Sequence, residues 1–362
     1  MNRELVPFNM EKMVEITKRY EKIYTENSPR ALIQIRSCKN NGIINKEVKP
    51  LNAYKFPEDR DIYLDALAEN SYMYSRFHER FDDDHIVSAS PWYGIADLTG
   101  FLGGKVDFTA DTSYHHQICE NFADFRKLSL NKENNPWVEL VSGGVKYMRE
   151  KWGKYIPIAF DGADGPGDVA NVIRGNDLFY DVYDYPDELP ELMDFCAKAV
   201  NFTLDLQRAE ATEVKGGYLA GFKTWMPGKC VGQLSEDFST MVSPSVYEKH
   251  FLHALEKTVK DSSMAMMHVH SVGEQLIPLF TSVDKIKLFE LSSDPNAPRA
   301  VETFRKYKKY FRDKVVEIAP TFDELINMED ILSENRIIVW YYAENEDDAK
   351  RAIEFVNKYR SD

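Results

Sequence analysis

Cysteine is scarce, with four in 362 residues (Cys38, Cys119, Cys196 and Cys230) and no Cys-x-x-Cys pair among them. That spacing argues against a disulfide framework or a thiolate zinc cage and leaves reduced thiols as the simpler account. Positive charge is also short: 45 Lys and Arg against 59 Asp and Glu, a formal charge of −14. Nucleic acid and anionic membranes are therefore poor partners, because phosphate contacts need clustered cations. The one basic cluster, Lys306 to Lys314, is interleaved with Tyr307, Tyr310 and Phe311 and reads as the outer face of an amphipathic helix. No apolar run approaches bilayer length, and the amino terminus lacks the apolar core of a signal peptide, so a soluble, cytoplasmic protein is expected. Glycine-rich phosphate-binding spacings, low-complexity linkers and repeats of fixed period are missing as well.

What is present is an aromatic-rich chain, 43% apolar and 13% aromatic, long enough for one large barrel or two ordinary domains. Helical spacing runs over residues 11–27, 59–81, 136–153 and from Pro186 onward. Apolar runs that read as strands begin at Ala31, His85, Tyr155, Gly216, Met264, Ile286, Val315 and Ile337, and from Ser243 they alternate with helices. Eight strands closing with a helix favour a single (β/α)8 TIM barrel over residues 1–362, with 1–30 as an amino-terminal helical extension. Residues 98–132, with the adjacent His115 and His116, read as an irregular excursion carrying surface or packing histidines.

Chemistry in such a fold gathers at the carboxyl ends of the strands. The stretch Met264 to Gly273 ends a buried strand in His268-Val269-His270, whose alternate side chains share one face. The pair suits a divalent metal, a metal-free contact with substrate, or packing in the mouth of the barrel. Glu290, near the end of the next strand, is the nearest carboxylate to complete a His2Glu set, or else it caps the Ser292-Ser293 loop. Asp161 and Asp164, in the turn from Asp161 to Asp168, offer a general acid or base, or cap the following helix; Asp237 has the same ambiguity. Arg36, Trp92, Tyr93, Trp225, Trp340 and Tyr342 also fall at strand ends or in the loops beyond them. Trp92, Trp225 and Trp340 offer an aromatic wall for a flat or methyl-bearing ligand.

Ser243-Pro-Ser-Val-Tyr, a helix, then His268-Val-His270-Ser-Val-Gly and Pro278 resemble the uroporphyrinogen decarboxylase superfamily, in particular its cobalamin-dependent methyltransferase branch. Gly165-Pro166, Ile173-Arg174-Gly175 and the helix after Pro186-Asp187-Glu188 belong to the same likeness, which runs from about Tyr155 to the end. The resemblance implies a (β/α)8 barrel and, in that branch, zinc held by a His, the Cys two residues on and a second Cys near the last strand. His268 falls on the first ligand and His270 on the first Cys, while Trp340-Tyr341-Tyr342 stands where the second Cys is expected. Two neutral imidazoles leave zinc a harder Lewis acid, better suited to an oxygen substrate than a thiolate. The arginine-rich motif of the decarboxylase is reduced to Arg36.

The reading is a methyltransferase acting between a small O- or N-methylated compound and a corrinoid carried on a partner protein, with or without zinc. Beside it stand a metal-free decarboxylase or lyase of a small carboxylate and a non-catalytic small-molecule-binding barrel. A homodimer is one candidate assembly.

Overall fold

The apolar runs of the carboxyl-terminal half are not alternating; Arg336 to Ala343 is buried at every position but Tyr342. Strands buried on both faces belong to a parallel sheet covered by helices, and that is their arrangement in the computed structural model, which describes residues 5–160 and 162–360. Seven parallel strands form the main sheet: β1 (Arg30–Cys38), β2 (Ala163–Asp164), β3 (Val231–Ser235), β4 (Ala265–Val269), β5 (Ile286–Leu291), β6 (Val315–Ile318) and β7 (Arg336–Ala343). Their order is β1-β7-β6-β5-β4-β3-β2. Helices Pro244–His250 and Leu252–Val259 lead into β4, Ile277–Ser282 into β5 and Ala300–Tyr307 into β6, and Glu346–Asn357 follows β7. Ser243 caps the first of these through its hydroxyl, which accepts from Val246 N at 3.3 Å, with Pro244 at the first helical position.

Past β1 and β2, pairing thins out. Residues 85–90 and 155–160, expected as strands, make single parallel bridges, Ala89 to Ile158 and Phe160 to Ala220. The cause is local: Pro157 has no N–H to give, and carboxylates occupy the neighbouring amides of β1. Asp84 Oδ2 accepts from Ile33 N at 3.0 Å and Asp83 Oδ2 from Ile35 N at 2.6 Å.

Residues 216–221 depart further from expectation. They lie in a separate antiparallel ribbon of Glu213–Val214, Gly217–Ala220 and Thr224–Pro227. Gly221, Phe222 and Lys223 all have positive φ, a tight reversal that glycine opens; a Cβ on Gly221 would lie 2.3 Å from Gln233 N. The returning limb reaches the interior of the sheet, since Thr224 Oγ1 accepts from Gln34 Nε2 of β1 at 3.2 Å and donates to Glu317 Oε1 of β6 at 2.6 Å.

The helix Met10–Thr25 packs against the rest of the chain. Met13, Ile16, Tyr20 and Ile23 enter the same core as the sheet, and Tyr24 donates to the carbonyl of Trp225 at 2.9 Å. The basic cluster is corrected too: the helix stops at Tyr307, and Lys314 is buried, its ammonium on the carbonyls of Val283 and Ile286 at 3.2 and 2.7 Å. All four cysteines are free and buried. Among the described residues no helix is long and apolar enough to cross a membrane.

Candidate active site

β4 delivers His268 near its carboxyl end and His270 just beyond it. Because the strands run in parallel register, His268 lies beside Glu290 of β5, and Glu290 beside Glu317 of β6. Glu290 accepts a close hydrogen bond from Nδ1 of His268. Asp294, on the loop after β5, does the same for His270 Nδ1 at 2.6 Å and also accepts from Ser271 Oγ at 3.0 Å. With both Nδ1 atoms so engaged, the Nε2 atoms of the two rings face each other at 3.2 Å, close enough to share one proton. The Asp237 carboxylate approaches His270 Nε2 at 3.5 Å. That contact, together with the bond to Asp294, outweighs burial and lifts His270 to about 9; burial opposes ionisation of Asp294, but the bonds from His270 and Ser271 draw it down to about 2.

Beside the histidines stands an acidic wall. Asp168 accepts from the backbone N–H groups of Asp237 and Phe238, both at 2.8 Å, and Glu236 Oε1 accepts from Gly167 N at 3.1 Å. The glycines of Gly165-Pro166-Gly167 make room for it: a Cβ at either position would lie 2.2 or 2.1 Å from a Glu236 oxygen. Burial, with Asp237 nearby, raises Asp164 to about 7; burial raises Glu236 to about 8 and, with Glu236 beside it, Asp168 well above the usual range. Carboxyls packed this way hold protons until a cation arrives.

On the other flank Phe222 meets the His268 ring at 5.2 Å and the Trp340 ring at 5.2 Å, and the Arg36 guanidinium lies 4.6 Å over Trp340. The histidine pair thus sits between a cationic and an acidic side of one cavity of about 1240 Å³.

Of the residues expected at the site, His268, His270, Asp164, Asp237, Arg36 and Trp92 line this cavity. Asp161 lies outside the described residues. Glu290 holds the ring nitrogen of His268 opposite the one that faces His270, which places it behind the imidazole and away from the gap between the two rings. Trp225 is corrected outright: fully buried on the returning ribbon, it donates its indole N–H to Val214 O at 2.8 Å and takes no part in the cavity wall. Tyr93 is buried against Phe56 and Tyr63. Trp340 is buried beneath Arg36, and Tyr342, exposed, stands beside Arg36. His116 pairs with Asp107 at 2.6 Å, whereas His115 reaches the cavity. Sequence reasoning passed over Asp294, Glu236, Asp168 and Phe222. Asp294 was findable, since it is a carboxylate four residues past Glu290 in a strand-end loop; Phe222 depends on a reversal that the sequence does not announce.

No family model matches the chain. Over 91 residues it is 30% identical to the methylcobamide:CoM methyltransferase MtbA of Methanosarcina acetivorans, a stretch covering 25% of this chain and 26% of that protein. The match therefore spans about a quarter of the curated relative's length. In overall fold the chain is similar to a methyltransferase from Methanosarcina mazei, with a TM-score of 0.55 over 95% of this chain and 98% of that one, at 12% identity.

Proposed function

We propose that this chain is a methyltransferase built as one (β/α)8 barrel, moving a methyl group between a small methylated compound and a corrinoid carried by a separate protein. The observation that carries the reading is the convergence of His268 Nε2 and His270 Nε2 at 3.2 Å inside a large cavity beyond the carboxyl ends of parallel strands. The distant likeness to a methylcobamide:CoM methyltransferase supports the same reaction class.

The donor set fits a metal ion. In a tetrahedral site with ligands about 2.0–2.1 Å from zinc, neighbouring ligand atoms lie about 3.3–3.4 Å apart, close to the 3.2 Å between these nitrogens and the 3.5 Å from His270 to Asp237. Carboxylates on the far nitrogens are the usual outer partners of metal-bound imidazoles, fixing their tautomer and raising their basicity. His268, His270 and Asp237 would hold the ion, with Glu290 and Asp294 aligning the rings. Zinc, when bound, supplies a Lewis acid beside the substrate heteroatom, and the corrinoid supplies a cobalt centre that takes or gives the methyl group.

The residues of the chain do the rest. Asp164, protonated up to about pH 7, holds or returns the proton of the substrate heteroatom. Asp168 offers negative charge once a cation draws off its proton, which favours an N-methylated ammonium over a neutral methyl ether. Trp92 and Phe238 give the methyl-bearing part apolar surface. Arg36 in the same cavity supports a second reading, in which a substrate carboxylate is bound and lost as carbon dioxide without metal.

Incubating the zinc-loaded chain with reduced corrinoid and a panel of methylated amines and ethers tests the proposal through the absorbance of methylated corrinoid. Turnover with a methylated amine is expected. If no methyl donor or acceptor reacts, while a carboxylate is decarboxylated in an Arg36-dependent way, the second reading replaces the first.

A further inference from the structure

A second histidine–carboxylate cluster lies apart from the His268–His270 pair, at the junction of β1 with residues 83–90. His78 closes the helix Arg60–His78; Asp83 and His85 follow it, and all three are buried. One donor atom from each lies within 4.8 Å of the donor atoms of the other two.

Part of this cluster is architectural. Asp83 Oδ2 accepts from Ile35 N at 2.6 Å and lies 3.1 Å from His78 Nε2, and His85 Nδ1 donates to Ile35 O at 2.8 Å. Those bonds tie the turn to β1, but they leave two donor atoms over. Asp83 Oδ1 is buried without a partner on a side chain that is 1% exposed, a costly state for a carboxylate oxygen. His85 Nε2, with Nδ1 committed as donor, keeps its lone pair, and His85 lines the large cavity. Burial first, then Arg36 and His78, press the His85 imidazole towards its neutral form, which is the ligating one.

We propose that His78, Asp83 and His85 form a second binding site for a divalent transition-metal ion, held by two imidazoles and one carboxylate, the ion displacing the proton now shared between His78 Nε2 and Asp83 Oδ2. The rings of His78 and His85 stand nearly perpendicular, at 85°, with centroids 5.2 Å apart. Two histidines and one carboxylate suit zinc or ferrous iron and leave coordination positions for water on the cavity side. The site is independent of the proposed reaction.

The test is zinc uptake by the full chain after chelation, read as metal per chain following gel filtration. The His268→Ala/His270→Ala chain should still bind one zinc. Adding His85→Asn, which preserves a donor to Ile35 O but removes Nε2, should abolish that binding without lowering the melting temperature appreciably. His78→Asn is the second variant, and cobalt(II) visible absorption of the His268→Ala/His270→Ala chain is the readout if either variant unfolds: ligand-field bands support the site, and their absence overturns it. If wild type binds one zinc and the His268→Ala/His270→Ala chain none, this inference fails while the proposed reaction centre stands. If that double variant loses no zinc and His85→Asn loses all of it, the reverse holds.

Discussion

Replacing Glu317 with Gln removes an ionisable carboxyl from the middle of the sheet while keeping its shape and its bond to Thr224. Glu317 is fully buried; Oε1 accepts from Thr224, and the Trp340 indole N–H is directed at the same carboxyl. Burial raises this acid from an ordinary 4.5 to about 8. The unfolded chain releases the proton near 4.5 and the folded chain near 8, so this carboxyl's contribution is fully present below pH 4.5 and is lost as pH rises through about 8. At about 1.4 kcal/mol per pH unit, the loss is bounded by ~5 kcal/mol above pH 8 and by ~3 kcal/mol at pH 7. Urea unfolding of wild type and Glu317→Gln at several pH values between 5 and 9 reads the difference directly, other titrations being common to both chains. The variant should gain on wild type by on the order of 1 kcal/mol per pH unit between pH 5 and 8 and then level off. Parallel stability curves would refute a neutral buried Glu317.

Trp225→Ala should cost about 3–5 kcal/mol of stability, as large-to-small core changes do, and leave KM for the methyl donor unchanged at a temperature where the variant is folded; a raised KM with unchanged stability would return Trp225 to the cavity wall. Glu290→Gln should weaken zinc binding about 10–100-fold, the usual effect of losing an outer partner of a metal-bound histidine; competition with a chromophoric chelator measures it, and unchanged affinity would show that Glu290 does not orient His268. Trp92→Ala, at the cavity rim, should raise KM several-fold with little change in melting temperature.

The strands that were legible in the sequence are those whose burial is imposed by neighbours in chain order. From Ile286 onward each apolar run pairs with the next, so the pattern of β5, β6 and β7 was readable without tertiary information. The ribbon at 213–227 was not, because its direction is set by three consecutive positive-φ residues, two of them non-glycine, and by the interior polar pair Thr224–Glu317. Trp225 was misplaced for that reason: a Trp-Met-Pro-Gly sequence reads as a loop, and only the reversal at Gly221 turns it into the core. His268 and His270 were found because an i, i+2 pair on a strand has one geometry. Their partner Asp294 is only four residues past Glu290, but a strand-end loop has no periodicity that singles it out from the neighbouring polar residues. The strand position of Glu290 suggests a ligand or a partner for the Ser292-Ser293 loop, whereas parallel register puts it on Nδ1 of His268. Lys314 is a similar case: a run of lysines with tyrosines suggests an exposed face until the helix ends at Tyr307 and the chain turns inward.

Methyl transfer to reduced corrinoid from a methylated amine, compared between wild type and His268→Ala under saturating zinc, is the most direct test of a reaction centre at the two histidines. The account predicts that kcat/KM falls at least about 100-fold, on the order of 3 kcal/mol of lost transition-state stabilisation, with the fold and melting temperature retained. A His268→Ala chain that methylates corrinoid at the wild-type rate would contradict it.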